Sequence, residues 1–554
     1  MFVRIKQTPN SPRKSVQIVQ SVRKGDHVSQ KIVRHIGIAY DDDELEKLQL
    51  LAESIKLKLE AQQQMFLIPP EEIARMNSEA KDDRHKITEA DYQVDIRNLE
   101  EEQRVIGGIH DVYGKLFHEM GYDRVIPNPS RNKASVRMLE NIVLARIANP
   151  SSKRTSVHML EENFGVSLNL EHVYRMMDKL DDKAIERLKN ISYMNTRKLY
   201  HEKIDVVFYD CTTLYFEAFE EDELREKGFS KDRKFNEVQV LLALMVTQEG
   251  LPVGYNLYEG GMYEGHTLIP ALKELKAQYE IDKVVFVADA GMFNQENLAA
   301  MEDESLEYIV GARLKHLPLK LQEQILNPDN YKEISEQIKV ARFEYQGRKL
   351  IVSYSAGRAR KDAKDREKAL EKLKKKLAGR RNVKEYLNPC GYKKYLEIEG
   401  KAQIGINQSQ VDADSKWDGL HGMITNAKAL SDEEAINQYG NLWQVEEAFR
   451  VTKHDLKVRP VFHWKPRRVK AHIAIAYTAY SLVRYLEYRV KLQYIKLSPE
   501  EIRRNLIEVQ TSVLYDKTRK IRYGLPSRMS KHARKIYAIL DVKRQCTPYI
   551  IEKM

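Results

Sequence analysis

Three carboxylates stand in contexts that suit metal chemistry. Asp210 closes the run IDVVFYD, Asp289 closes KVVFVAD, and Glu446 lies within YGNLWQVEEAFRVTK. Short apolar runs of this kind read as buried strands that deliver a polar side chain at their end. The Glu446 segment reads as a helix. Three carboxylates drawn together offer hard oxygen ligands to divalent cations. A pair of such ions, about 4 Å apart, activates water and stabilises the leaving oxygen in phosphodiester cleavage. The chemistry to expect is therefore metal-dependent cleavage of DNA, and the rest of the chain must bring these residues together.

Composition limits the alternatives. A chain of 554 residues exceeds one ordinary core and predicts two to four structural units, and 42% apolar with 31% charged residues is globular, not disordered. Cys211, Cys390 and Cys546 are widely spaced with no CxxC, which argues against a disulfide framework or a zinc site and for a reducing compartment. MFVRIKQ is not a secretory start, and AHIAIAYTAYSLVRYLE from Ala471 reads as a buried helix interrupted by polar residues, not a membrane span. The expected location is cytoplasmic. Net charge is +11, unevenly spread: residues 313 to 416 hold 25 Lys+Arg against 14 Asp+Glu, and residues 491 to 554 hold 15 against 6. The remainder is acidic. An acidic centre flanked by basic segments suits a polyanion gripped outside the site, although any one Lys-rich helix can equally be a solvated face.

The element order is informative. SVQIVQSVRKGDHVSQKIVRHIG alternates apolar and polar residues around Lys24-Gly25-Asp26 and predicts a hairpin, followed by helical periodicity from Asp42 to about Ala74 and a polar linker in DDRHKITEADYQVD. Residues 100 to 200 read as helices broken at Asn149-Pro150-Ser151-Ser152. Within them VHMLEENFGVSLNLEHVYRMMDKLDD is either a helix-turn-helix for DNA or an ordinary helix pair. From Ile204 the order is three meandering strands (to Asp210, EVQVLLALMVT, PVGYNLYE), a helix in HTLIPALKELKAQYE, strand KVVFVAD, a helix near Gln295 to Met301, and strand LEYIVGA. That is the order of a ribonuclease-H-like α/β core, whose first and fourth strands run side by side and would bring Asp210 to Asp289.

About a hundred residues then intervene before WDGLHGMITN, including strand-like RFEYQGRKLIVSYSAGRAR and basic, helical KDAKDREKALEKLKKKLAGRR. Ser431 and Glu434 predict a capped helix start. Beyond it, seven-residue spacing sets Tyr439, Glu446 and Lys453 on one helical face, with Trp443 and Arg450 adjoining at i−3 and i+4. The alternative for this stripe is an ion-paired face between domains. Glu447 adjoins Glu446 but misses both spacings and is assigned to a flanking ion pair.

These residues resemble a family. Tyr439, Glu446 and Lys453 match the Y-x2-R-x3-E-x6-K signature of DDE transposases from insertion sequences of the family-four superfamily, and GLPVGYNLYEGGMYEGHT, DAGMFNQENL, YSAGRARKDAKDRE and Asp418-Gly419 match as well. The resemblance spans nearly the whole chain. It implies that Asp210, Asp289 and Glu446 are catalytic metal ligands for two Mg2+ ions, with Mn2+ able to substitute. It also implies that Tyr439 and Lys453 contact transposon-end DNA. The sequence departs from the signature at Leu442, where relatives have Arg, and Arg450 is the candidate substitute. Further implied DNA contacts are Trp443 (or Trp417) as a stacking platform for a flipped base, Arg358, Arg360, Lys361 and Lys364 in the insertion, and Arg467, Arg468 and Lys470, which otherwise cap the fold. The implied reaction is cleavage at inverted repeats on double-stranded DNA, with a hairpin intermediate, then strand transfer into target DNA by a homodimer. No phosphate loop for a nucleotide cofactor is present. A structure-specific nuclease or a catalytically idle DNA-binding derivative are the competing functions.

The expected architecture is α/β: a ribonuclease-H-like mixed sheet core (201–312 and 417–490) interrupted by a β-rich basic insertion domain (313–416). A small β-hairpin and helix region (1–95), a mainly helical DNA-binding region (96–200) and a helical C-terminal dimerisation region (491–554) complete it.

Overall fold

A computed structural model of the chain describes residues 2–7, 13–24, 27–61, 89–199, 204–216, 220–227, 237–263, 266–278, 285–290, 294–335, 338–378, 396–399, 403–459 and 461–553. Two compact units divide it: Met1–Glu102, Ser512–Leu525 and Thr547–Met554 form one, and Gln103–Thr511 with Pro526–Cys546 the other. In the first, β1 (Phe2–Gln7), β2 (Lys14–Lys24) and β3 (His27–Ala39) make an antiparallel meander, so the expected hairpin gains a third strand. Its turn residues Gly25 and Asp26 lie outside the described residues. Val16 and Ile18 bury one face of the meander against Ala52 of helix Asp42–Ala61, the alternation that a one-sided sheet requires. The polar linker begins outside the described residues and ends in short helical turns at Glu89–Tyr92 and Ile96–Asn98. It then enters β4 (Leu99–Ile106), a strand where helix was expected.

The second unit holds a nine-stranded mixed sheet. Its strands are β5 (Val206–Tyr215), β6 (Gln239–Val246), β7 (Pro252–Glu259), β8 (Val285–Ala288), β9 (Glu307–Ala312), β10 (Lys332–Ser335), β11 (Ile338–Tyr345) and β12 (Arg348–Ser355). The pair β13 (Leu396–Glu399) and β14 (Gln403–Ile406) stands apart from it, and β15 (Leu420–Thr425) completes it in the order β10-β11-β12-β15-β9-β8-β5-β6-β7. β5, β6 and β7 are antiparallel, whereas β5, β8 and β9 are parallel. β6 is buried along its whole length, as its apolar run 240–246 requires.

Alternate residues of β5 serve two cores. Phe208 and Leu214 join the cluster that includes Val445, Ala448 and Phe449 of helix Trp443–Arg450, and much of helix Pro466–Gln493. Val207, Tyr209 and Cys211 face Leu268, Leu272, Leu298 and Met301 of helices Leu268–Gln278 and Gln295–Asp303. Helices thus cover both faces of the sheet.

Two expectations change here. Residues 313 to 416 do not make one separate domain sheet: β10, β11 and β12 extend the main sheet, because β15 pairs with β12 on one side and β9 on the other, while β13 and β14 pair with each other apart from it. The reason is edge closure, since β9 would otherwise expose a row of unpaired amides and carbonyls. The C-terminal region is not simply helical either. Helices Pro499–Ile507 and Lys531–Ile539 alternate with β16 (Gln510–Asp516), β17 (Ile521–Pro526) and β18 (Tyr549–Lys553), in a sheet ordered β18-β17-β16-β4. Period-two alternation in IRYGLP is the sequence signal for β17. No described helix is long and apolar enough to cross a membrane.

Candidate active site

Asp210 and Asp289 meet through register. The last parallel pairs are Phe208↔Val287 and Tyr209↔Ala288, so the next step along both strands reaches Asp210 and Asp289. β5 continues past Asp210 to Tyr215, where β-branched and aromatic residues keep pairing with β6, so Asp210 is mid-strand and not at a strand end. β8 stops at Ala288, and Asp289 leaves the sheet there. Each carboxylate uses its Oδ1 to accept the amide of the following residue, from Cys211 at 2.7 Å and from Ala290 at 2.6 Å.

Helix Asp432–Gly440 begins with the Ser431–Glu434 capping box and packs along β9. Its Tyr439 is buried, and its hydroxyl donates to Asp289 Oδ1 in a long bond of 3.5 Å. Burial, followed by the negative charge of Asp289, pushes the phenol well above its ordinary range, and Glu446 adds to the effect. Tyr439 therefore stays protonated and acts as a donor. Gly311 on β9 makes room for it, because a Cβ there would meet the Tyr439 hydroxyl and sit 2.9 Å from the Ala290 amide. The Tyr439 ring lies 5.0 Å from that of His421 on β15. His421 is held neutral near neutral pH, with a pKa pushed down to about 4 by burial and by the nearby Arg358 guanidinium.

The helical stripe is not continuous. Gly440 and Asn441 are poor helix formers, and the chain turns at Asn441 and Leu442 before helix Trp443–Arg450. A wider helical turn, Val451–Asp455, follows. The second helix lays Val445, Ala448 and Phe449 on the Asp210 face of β5 and leaves Glu446 exposed beside them. Lys453 donates to Thr212, which shares the Asp210 face of β5 two residues on. Tyr439 and Lys453 thus tie the two ends of the Glu446 segment to the strands that carry the aspartates. Among the described residues no three His, Cys, Asp or Glu side chains are gathered tightly enough to hold an ion. The donor set itself, carboxylate oxygen only, fits a hard divalent cation.

The other sequence candidates fall into distinct settings. Leu442 is buried in the core, 9% exposed, so its side chain does not face the site's surface. Arg450 forms a two-point ion pair with Glu447 (2.7 and 2.5 Å) and reaches Asp455 at 3.3 Å, an arrangement that engages the guanidinium within its own helix. Arg358, Arg360, Lys361 and Lys364 are exposed on helix Ala356–Ala378, and of these Arg358 acts on both Tyr439 and His421. Trp443 is half exposed beside Glu447 and Arg484, while Trp417 lines a cleft with His421 and the Arg366–Asp418 pair. Arg468 pairs bidentately with Asp178 (2.8 and 2.7 Å) and stacks over Tyr174, and Lys470 reaches Asp182 at 2.9 Å. These contacts dock helix Pro466–Gln493 on its neighbours, and only Arg467 of the three is exposed. Sequence reasoning missed Thr212, Gly311 and His421. Period two from Asp210 would have flagged Thr212, but nothing local marks Gly311.

Replacing Tyr439 with Phe removes the donor to Asp289 without changing the packing. Single-turnover cleavage of end-bearing DNA is expected to slow roughly tenfold to a hundredfold, the weight of a hydrogen bond to a charged group. Gly311→Ala, which displaces the same hydroxyl, should reproduce the loss; full activity in Gly311→Ala would exclude this contact from the site.

Comparisons with known proteins show the family of the chain. Residues 201–482 match the family described as Transposase DDE domain, and residues 3–64 match that described as IS1634 family transposase, N-terminal domain. The chain belongs to the DDE transposases, enzymes that cleave DNA and transfer its strands. Within that class it is a transposase of an insertion sequence. No curated protein matches it. Among solved structures it is similar to a piggyBac transposase synaptic complex with hairpin DNA, at 11% identity over 72% of this chain and 76% of that one with a TM-score of 0.37. It is also similar to a Mos1 transposase paired-end complex, at 12% identity over 47% and 76% with a TM-score of 0.14. Scores this low carry no assignment of fold.

Proposed function

We propose that Asp210, Asp289 and Glu446 are the metal ligands of this transposase, on a core of ribonuclease-H-like layout, and that they take two Mg2+ ions, with Mn2+ able to substitute. The observation that supports this most is the register step that sets Asp210 beside Asp289, with Tyr439 and Lys453 tethering the Glu446 segment to the same two strands. When bound, such ions lower the pKa of an attacking water or 3′ hydroxyl and stabilise the departing 3′ oxygen. The chain's own residues do the rest. Tyr439 orients Asp289 and keeps a proton directed at it. Lys453 lends positive charge to the face where a phosphate would lie. Arg358, whose charge already reaches Tyr439, takes the role that Leu442 cannot fill from its buried position, and does so better than Arg450, which Glu447 and Asp455 engage.

The finer reading follows from the same site. Excision passes through a DNA hairpin, with Trp417 as the platform for a flipped base because its cleft adjoins His421 and hence Tyr439. Residues 96–200 grip end DNA, 313–416 supply basic contacts to it, and 491–554 help pair two subunits, so that a homodimer bridges two ends. The test is to supply pre-cleaved element ends, Mg2+ and a plasmid target. Concerted joining is expected, and chelation with EDTA should stop it. Hydrolysis without joining would favour a structure-specific nuclease instead.

A further inference from the structure

A second concave site lies where helix Lys153–Phe164 begins. Ser152 caps this twelve-residue helix by accepting the Thr155 amide, and the first-turn amides and the helix dipole make the entrance electropositive. The walls carry Arg146, Lys153, Arg154, Lys457 and Arg459, and no carboxylate is among the residues that line the pocket.

Two of these cations are inside the protein: Arg146 is 3% and Lys153 4% exposed. Burying a charge without a counter-charge costs several kcal/mol. Arg146 Nη1 donates to the carbonyls of Leu456 (2.8 Å) and Lys457 (3.1 Å), while its Nε is buried without a hydrogen-bond partner. Lys153 Nζ has the ring of His472 at 3.4 Å. The far nitrogen of that ring faces the Val458 carbonyl at 3.0 Å, so it must donate, and Nδ1 is left to accept from Lys153. His463, also in the pocket, is held neutral at a pKa of about 4 by burial and by the cations Lys153, Arg146 and Arg468. Burial and the neighbouring Arg146 push Lys153 itself down. With no carboxylate among its lining residues, the pocket favours an anion, which would offset the buried Arg146 and return to Lys153 the proton that burial disfavours.

We propose that this pocket binds a phosphate group, held by Lys153, Arg146 and the first turn of helix Lys153–Phe164, with Arg154 and Arg459 at its rim. Its position suits a nucleic-acid phosphate. Arg459 lies over the Tyr215 ring at 5.4 Å, at the far end of the strand that carries Asp210, roughly 17 Å along β5 from that carboxylate. Free inorganic phosphate has the same chemistry, and two measurements separate the sources.

The first is the melting temperature of the full chain when chloride is exchanged for inorganic phosphate at constant ionic strength. Phosphate is expected to stabilise the wild type and to lose that effect in Lys153→Met, which keeps the buried stem and removes the charge. Arg154→Ala, an exposed change that folding tolerates, should weaken the response and stands in if Lys153→Met does not fold. The second is affinity for a labelled random-sequence duplex as a function of NaCl. If the occupant is a backbone phosphate, Lys153→Met binds about tenfold more weakly and its log–log salt slope is shallower by about 0.9. An unchanged slope with a lost thermal response identifies free phosphate. Equal phosphate responses in the wild type and both variants, or no response in any, would overturn the site. Asp210→Asn should keep the full response, so failure here is separable from failure of the carboxylate assignment.

Discussion

Asp210→Asn is expected to abolish end cleavage and strand transfer, lowering single-turnover rates by at least about 10³-fold, or roughly 4 kcal/mol in the barrier. Asn keeps the shape of Asp and can still accept the Cys211 amide through its oxygen, so β5 and its pairing with β6 should survive. What disappears is the negative charge that a divalent cation requires. Glu446→Gln should act alike, and more cleanly, because Glu446 is exposed on its helix and its loss disturbs no packing. The checks are cleavage and joining assays beside duplex binding and circular dichroism. Variants that still join ends at near wild-type rates, with binding intact, would remove these residues from the chemistry. By contrast Glu447→Gln breaks only the pair with Arg450 and should leave cleavage within a few-fold of wild type.

The largest loss of stability is expected from Phe208→Ala. Phe208 is fully buried in β5, between Val246 on β6 and Val287 on β8, in the cluster that holds the Glu446 helix against the strand. Deleting its ring removes contacts on three sides and leaves a cavity that paired strands cannot collapse to fill. The expected cost is about 3–5 kcal/mol, measurable as a lower urea midpoint for the second unit. Activity should fall even at temperatures where the variant stays folded, since Asp210 is two residues away on the same face. A cost below about 1 kcal/mol would mean that this seam is not the packed joint described above.

These two residues show what the sequence could and could not reveal. Asp210 was legible because a polar residue after a run of Val, Val, Phe and Tyr has few structural reasons to be there, and the order of strands and helices predicted its neighbour on β8. Phe208 was legible only as core. The course of residues 313 to 416 was less so: RFEYQGRKLIVSYSAGRAR was readable as a strand pair, but whether it formed its own sheet depended on a free edge at β9 that no local pattern declares. The Tyr439–Glu446–Lys453 spacing was read on one ideal helix. The chain instead tightens at Asn441 and Leu442 and widens at Val451–Asp455, and still delivers Tyr439 and Lys453 to Asp289 and Thr212. Spacing survives because the two departures act in opposite senses. In the C-terminal region the strong local signal is the Ser498–Glu501 capping box, which marks a helix, while the short strands β16 to β18 around it carry no comparable start or stop residue.

The position of β15 has a consequence for how the enzyme comes into being. Gly422 pairs with Ala312, and Thr425 with Ile309, across loops of about 110 residues, and closing a loop that long is entropically costly and slow. On a ribosome, β5 to β9 emerge with both aspartates long before β15 and the Glu446 helix leave the exit tunnel. The main sheet of the second unit therefore closes late: β15 takes its place between β9 and β12 only after about 110 further residues have been made.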